Sequence, residues 1–542
     1  MNSVLYWAFL AGSLFAFLSW RRRSTPPITP NKCPEGSPLG QLQDSLAFSF
    51  LKHEFIPRST IDAAINETTV RDILVEEGLV DADCVQAEDL AKKIVQHARK
   101  MFAILVVLNK ARDIRTFLKL GIQDHDLPFS LRVENEQLPP ILRTNQGREI
   151  MAPEDWNYGT LRDLEKKQWD MLAPVFRKNG HYEFPKTQLL PFAGQTIVAI
   201  RQGAHGEVFR GRIHFDHHDF WEPSTIKGKE YAPVAIKKLF WTDPQLFEQE
   251  REFLKALGSA GPHPHLINLL CTYTHKGYNY LMFPCADENL RDFWKRTPLP
   301  DFNDRLLLWC LKQIVGIASG LSRIHELPRP SDLGLAKFHS FGSRSTDPAA
   351  TVAFATTYSP PLHHNDRVNR EFDVWSLGCL YLEFITWIVC GEEAIGQFSE
   401  LRGKDDSNTE INSDFFYSKD LKTVRPSVRK WVAELKEDPR CTHVLCDLLD
   451  LVIENMIRIH ARTRSSAQRV HFRLNEMYEK ARKDKKYLLE KKQKSPKQQE
   501  PPLLSRSGVY VNWWVYYKER DKNNWAIAHV CICMNLHRCP VL

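Results

Sequence analysis

The chain has 542 residues, of which 43% are hydrophobic and 26% charged, with a formal net charge of +7. That length predicts two or three domains with ample material for a core, and so mild a positive bias does not imply nucleic-acid binding. Twelve cysteines are scattered along the chain; their dispersal argues for a reducing compartment and against a disulfide framework.

The first element is Val4 to Trp20, an almost uncharged stretch of seventeen residues. It sits at the short end of what spans a membrane as a helix. Arg21, Arg22 and Arg23 follow, and no basic residue precedes it. The positive-inside tendency then predicts a membrane anchor over residues 1–23, with the rest of the chain facing the cytosol. A cleaved signal peptide and a non-membrane segment are the alternatives. Asn66-Glu67-Thr68 fits a glycosylation acceptor, a match without meaning if the chain is cytosolic.

Residues 24–40 read as a Pro/Ser/Gly linker. Residues 41–190 read as a mostly helical region of unknown role. Its best helix runs from Ala87 to Asn109, where Leu90, Ile94, Ala98, Met101, Phe102 and Leu105 recur at helical spacing. Gly121 is placed to close the next helix with a left-handed cap. The stretch from 122 on is transitional, with a break at Pro139-Pro140. Nothing in this region forms a catalytic constellation, and it reads as a packing module.

From Thr196 the pattern changes to short β-prone runs, Ile197–Ile200, Val208–Ile213 and Val234–Phe240, followed by longer helical ones. Gly203 and Gly206 stand between two of these strands in IRQGAHGEVFRG. Glycines let a turn approach phosphates closely, though a pair of them alone is a weak signal that a plain structural turn more often explains. Next comes Val234-Ala235-Ile236-Lys237. A lysine ending a buried strand needs a partner. Asp243-Pro244 is a good helix start, and in the helix FEQEREFLKAL that follows, Glu250 shares a face with Leu254. Glu250 is the expected partner and Glu252 the alternative.

The glycine turn, VAIK and the helix glutamate, in this order and spacing, resemble the eukaryotic protein kinase family. The resemblance covers residues 191–479. It implies an α+β, two-lobed kinase-like fold, with a β-rich N-lobe and a helical C-lobe, preceded by the helical N-terminal region. By the same resemblance, Gly203, Gly206, Val208, Ala235, Lys237, Glu250, Phe283 and Cys285 would line an ATP site. Lys237 would hold the phosphates, Phe283 would be the gatekeeper, and the backbone from Pro284 to Ala286 would face adenine, with Pro284 lacking an N–H donor.

The catalytic half is similar to the family but interrupted. Arg305 to Glu326 resembles the helix before the catalytic loop. Asp332-Leu333-Gly334 resembles the magnesium-binding Asp-Phe-Gly motif, so Asp332 would hold Mg2+. Only six residues separate His325 from Asp332. Roughly 20 residues of the family pattern are missing, with the His-Arg-Asp aspartate and the metal-binding asparagine among them. Six extended residues reach about 20 Å, so the chain can bridge the gap without presenting those side chains. Glu326 is no substitute base at a helix end. No catalytic residue is assigned.

Downstream, Ala355 to Leu362 resembles the end of an activation segment with its glutamate replaced, at Pro360-Pro361-Leu362. Asp373-Val374-Trp375-Ser376-Leu377-Gly378-Cys379 matches the family's core helix. In the family that aspartate bonds to the catalytic loop, so Asp373 is expected to lack its partner here. Arg464 would pair with the lost glutamate; it is expected to be exposed or served by another acid. Residues 480–542 form a basic linker, Lys480 to Lys497, and a Cys/aromatic tail. There Cys531, Cys533, His537 and Cys539 lack a standard zinc spacing.

The resemblance implies an ATP- and Mg2+-dependent transferase acting on protein serine or threonine, with a layout similar to fungal kinase-like proteins. The missing loop leaves two readings. One is a kinase whose chain lacks an internal segment in this form. The other is a pseudokinase that binds nucleotide and acts as a scaffold or allosteric module. Expected partners are ATP, a protein substrate or scaffold partner, and a membrane through the N-terminal helix; nucleic acid is not expected.

Overall fold

The computed structural model describes residues 36–81, 85–132, 141–193, 198–203, 206–221, 229–240, 244–327, 356–361, 370–405 and 414–491. The expected anchor, Asp243, the Asp332-Leu333-Gly334 motif, Leu362 and the tail from residue 492 lie outside them. The described residues form two compact units. One holds those up to Pro174 together with Leu189–Pro191; the other holds Val175–Gln188 and those from Phe192 on.

The first unit packs helices α1 (Pro38–His53), α2 (Arg58–Ala64), α3 (Glu67–Glu76), α4 (Val85–His97), α5 (Arg99–Val107), α6 (Ile114–Lys119) and α7 (Tyr158–Lys167). Its core centres on α5, whose Met101 to Val106 are all fully buried. The single helix expected over Ala87–Asn109 is two, broken at Ala98, where φ is -139° and ψ 30°. Alanine cannot cap a helix. Instead Asp124 accepts the Lys100 and Met101 N–H groups, each at 3.0 Å, satisfying the exposed donors of α5 from outside it.

Gly121 closes α6 as expected, with φ +71°. The Ile122 N–H reaches the Phe117 carbonyl and the Gly121 N–H that of Leu118, the paired bonds of a Schellman cap. The transitional stretch contains a small antiparallel sheet of β1 (Ser130–Arg132), β2 (Ile141–Arg143) and β3 (Glu149–Ile150). No periodicity marks strands this short. The buried Gln168 amide steadies the approach to this sheet by bonding both the N–H and the carbonyl of Phe129, at 2.7 Å each.

The second unit opens with a six-stranded sheet of β4 (His181–Glu183), β5 (Val198–Gly203), β6 (Gly206–His214), β7 (Tyr231–Leu239), β8 (Cys271–His275) and β9 (Tyr278–Pro284). Their spatial order is β4-β8-β9-β7-β6-β5. Helix α8 (Pro244–Ser259) follows β7 and covers one face.

Helices α9 (Leu290–Arg296), α10 (Asp304–Glu326), α11 (Arg370–Cys390), α12 (Glu392–Lys404), α13 (Pro426–Glu437), α14 (His443–Leu451), α15 (Ala467–Lys483) and α16 (Lys485–Leu489) complete this unit. Asn303 caps α10 by accepting the Leu306 N–H at 2.9 Å. Helices α10 and α11 are long and apolar enough to cross a membrane. Both are instead mostly buried among the other helices, α11 with Trp375 and Trp387 fully enclosed. An all-round apolar helix is what the centre of a large core requires.

Candidate functional site

The sheet register decides which side chains share a face, because directly paired residues point the same way. Lys237 on β7 stands opposite Val208 on β6 and Leu281 on β9. Ala235, two residues earlier, stands opposite Phe283. The face that carries Lys237 therefore also carries Ala235, Leu281 and Phe283. Leu239, Leu281 and Phe283 pack there with Leu269 and with Phe247 and Leu254 of α8.

Phe247, Glu250 and Leu254 recur at helical spacing and turn to the sheet together. All three are buried. Glu250 brings its carboxylate into this apolar layer, where an unpaired charge would be costly. Lys237 Nζ donates to its Oε1 at 2.7 Å, with side-chain exposures of 17% and 4%. Glu252, the alternative, lies outside the pair. It is 45% exposed and binds Lys255 at 3.2 Å and Arg251 at 3.7 Å.

The second oxygen of Glu250 is buried with no partner among the described residues. Lys237 keeps two ammonium hydrogens beyond the one given to Glu250. With 17% of the Lys237 side chain exposed, these donors suit a phosphate oxygen.

Gly203 and Gly206 close the hairpin of β5 and β6 as its last paired residues, with two residues between them. Val208 and Ala235 are half-buried, and Phe283 is 6% exposed. Pro284 ends β9 opposite Val234. Cys285 follows, half-buried, its thiol donating to the Ala286 carbonyl at 3.4 Å. The residues expected around a nucleotide thus converge on the sheet and its edge. Asp332, the expected magnesium ligand, lies outside the described residues.

At the catalytic half, the expectation for Asp373 is corrected. Its carboxylate is not left without a partner: His325 Nε2, at the end of α10, lies 2.8 Å from Oδ2. The side chains are 11% and 26% exposed. The contact ties the end of α10 to the start of α11. Arg370 adds a 3.4 Å bond to the Leu327 carbonyl. The role of His325 was not legible, since a histidine at a helix end carries no such signal. Glu326 accepts from Ser322, one turn back, at 3.2 Å.

Of the two expectations for Arg464, exposure is corrected: it is 8% exposed. It donates to the carbonyls of Arg458 at 2.7 Å, and of Glu371 and Ile459 at 3.0 Å each. Its guanidinium also stands 5.0 Å from the Trp375 ring centroid. Carbonyl dipoles and a π face contribute to holding this cation.

A further buried network was not anticipated. Arg402, fully buried, binds Glu383 at 3.2 Å and the Asp414 carbonyl at 2.9 Å. Tyr358 donates to the same Glu383. Burial alone would raise the Asp414 pKa, but Arg402 and the hydroxyls of Ser399 and Thr357 outweigh it and hold the carboxyl below its ordinary value.

No protein-family model matches the chain. Curated proteins do. One is the probable serine/threonine-protein kinase PBL24 of Arabidopsis thaliana, 23% identical over 282 residues, 45% of this chain and 66% of that protein. Mitogen-activated protein kinase kinase kinase 12 of Rattus norvegicus is 26% identical over 250 residues, 42% of this chain and 24% of that protein. Mitogen-activated protein kinase kinase kinase 13-B of Xenopus laevis is 27% identical over 252 residues, 42% of this chain and 22% of that protein. The chain thus spans just under two thirds of the plant protein and less than a quarter of the other two. It is related to serine/threonine protein kinases at low identity, over less than half its own length.

Proposed function

We propose that residues 191–479 form a two-lobed, protein kinase-like domain that binds ATP, and that the chain in this form does not transfer the phosphoryl group. The observation that carries the proposal is the buried Lys237–Glu250 pair at 2.7 Å, with ammonium donors to spare. In this reading Lys237 holds the phosphates and Glu250 fixes its ammonium. The Gly203–Gly206 hairpin covers them. Val208, Ala235 and Phe283 bound the adenine, and the backbone beside Cys285 faces its edge. Asp332 would hold magnesium, which when bound neutralises phosphate charge.

Two observations support the reading that transfer is lost. The sequence between His325 and Asp332 holds no His-Arg-Asp aspartate, and Asp373, the residue that resembles the anchor of such a loop, is bonded to His325. Such a protein acts through its nucleotide-dependent conformation, as a scaffold or allosteric module. Attachment to a membrane by residues 1–23, with the domain in the cytosol, belongs to the same proposal.

The second reading is active transfer to protein serine or threonine by a form of the protein with about 20 more residues between Glu326 and Asp332. It is favoured by how well Asp373 and its helix are kept. Transcript sequencing across that junction tests it. Thermal shift with ATP and Mg2+, beside a phosphotransfer assay, tests the first. Stabilisation without transfer is expected, and transfer by this chain would refute it.

A further inference from the structure

Strand β4 lies at the edge of the sheet, parallel to β8, with His181 opposite Thr272. Thr272 stands opposite Leu281, and Leu281 opposite Lys237. Paired residues share a face. His181 and Lys237 therefore belong to one cross-strand row, on the face that α8 covers.

The neighbouring residue of β4, Tyr182, pairs with Tyr273 and points to the opposite face. There the segment is anchored by rings. Phe176 lies 5.3 Å from Tyr182 and 5.6 Å from Tyr273, centroid to centroid, and Phe184 lies 6.1 Å from Tyr273.

On the α8 face, His181 Nδ1 and Thr272 Oγ1 share a 2.9 Å hydrogen bond. The imidazole centroid stands 5.6 Å from that of Phe247. Phe247 precedes Glu250 by three residues, so one face of α8 carries both. Burial, and then the charge of Arg251, holds the His181 pKa below its ordinary value. The ring is neutral near pH 7 and packs as an aromatic side chain.

We propose that β4 braces α8, with His181 a positioning residue that acts through Phe247 to keep Glu250 against Lys237. A helix held at one point can pivot. This one is held at two points of one row, by the ion pair and by the ring contact. The inference deepens the nucleotide-site reading and rests on it for its consequence, though not for its geometry.

The test uses the full chain, as wild type, His181→Ala and His181→Phe, with Lys237→Met in parallel. Amide exchange is followed in α8 and α15, and binding is measured with a fluorescent trinitrophenyl ATP analogue. His181→Ala is expected to speed exchange in α8 and weaken the analogue by about threefold to tenfold, the range an aromatic contact spans. His181→Phe keeps the ring and is expected to restore both. Unchanged α8 exchange in His181→Ala overturns the proposal. So does equal loss in the Phe variant, or a rise that extends to α15, which would mark general destabilisation. If the wild type binds no analogue, or Lys237→Met binds it equally, the nucleotide reading fails, and exchange in α8 still decides the brace.

Discussion

Replacing Lys237 by methionine removes the ammonium while keeping most of the side-chain volume. The charges it separates stand 2.7 Å apart. At an effective dielectric constant near 20, their attraction has a ceiling of about 6 kcal/mol. Desolvation of both groups offsets much of that, so the pair itself adds little net stability. Breaking it is another matter. The Glu250 carboxylate, 4% exposed, would be left buried without its cation, which costs about 3–5 kcal/mol. The residual 17% exposure of Lys237 shows that water reaches the pair, so the low end, about 3 kcal/mol, is expected. At about 2–4 °C per kcal/mol for a unit of this size, the melting transition falls by about 6–12 °C. Thermal melts of the variant against wild type, followed by circular dichroism, give the number. Adding Glu250→Leu to Lys237→Met should recover most of the loss, since an apolar pair replaces an orphaned charge. A single variant that melts with the wild type would refute the buried pair.

His325→Ala should cost about 1–2 kcal/mol by stranding the Asp373 carboxylate, whereas Asp373→Asn, which keeps an acceptor, should cost less; equal or absent effects in urea melts would count against the contact. His265 is buried, with Nε2 at 3.1 Å from Gln313 Oε1, and burial lowers its pKa. Its neutral form is thus favoured by folding. That contribution is full above an unfolded pKa of about 6.5 and is lost as pH falls below it. His265→Gln should flatten the loss of stability between about pH 7 and pH 5, and an unchanged slope in urea titrations would refute the assignment. ATP should slow alkylation of half-buried Cys285 but not of exposed Cys390; equal rates in peptide mass spectra would place the nucleotide elsewhere.

What the sequence revealed was whatever depends on local chemistry. Lys237 and Glu250 were legible because a charge in an apolar run demands a partner, and helical spacing picks Glu250 over Glu252. Gly121 was legible because a left-handed cap favours glycine. The break at Ala98 was not, because its cap, Asp124, comes from elsewhere in the chain. Strands β1 to β4 are two or three residues long and leave no period to read. The partner of Asp373 and the burial of Arg464 were not legible because the family pattern indicates which groups are missing, not how their neighbours pack. His325, at a helix end, reaches Asp373 only through tertiary packing.

The central proposal is that this chain binds ATP through Lys237. Calorimetric titration of ATP with Mg2+ into the full chain, beside Lys237→Met, tests it most directly. The account predicts saturable binding to the wild type below about 1 mM, the upper end of ordinary substrate affinities, and at least about tenfold weaker binding to the variant, the loss expected of a charge-assisted phosphate contact. No binding to the wild type, or equal binding to both, would contradict it.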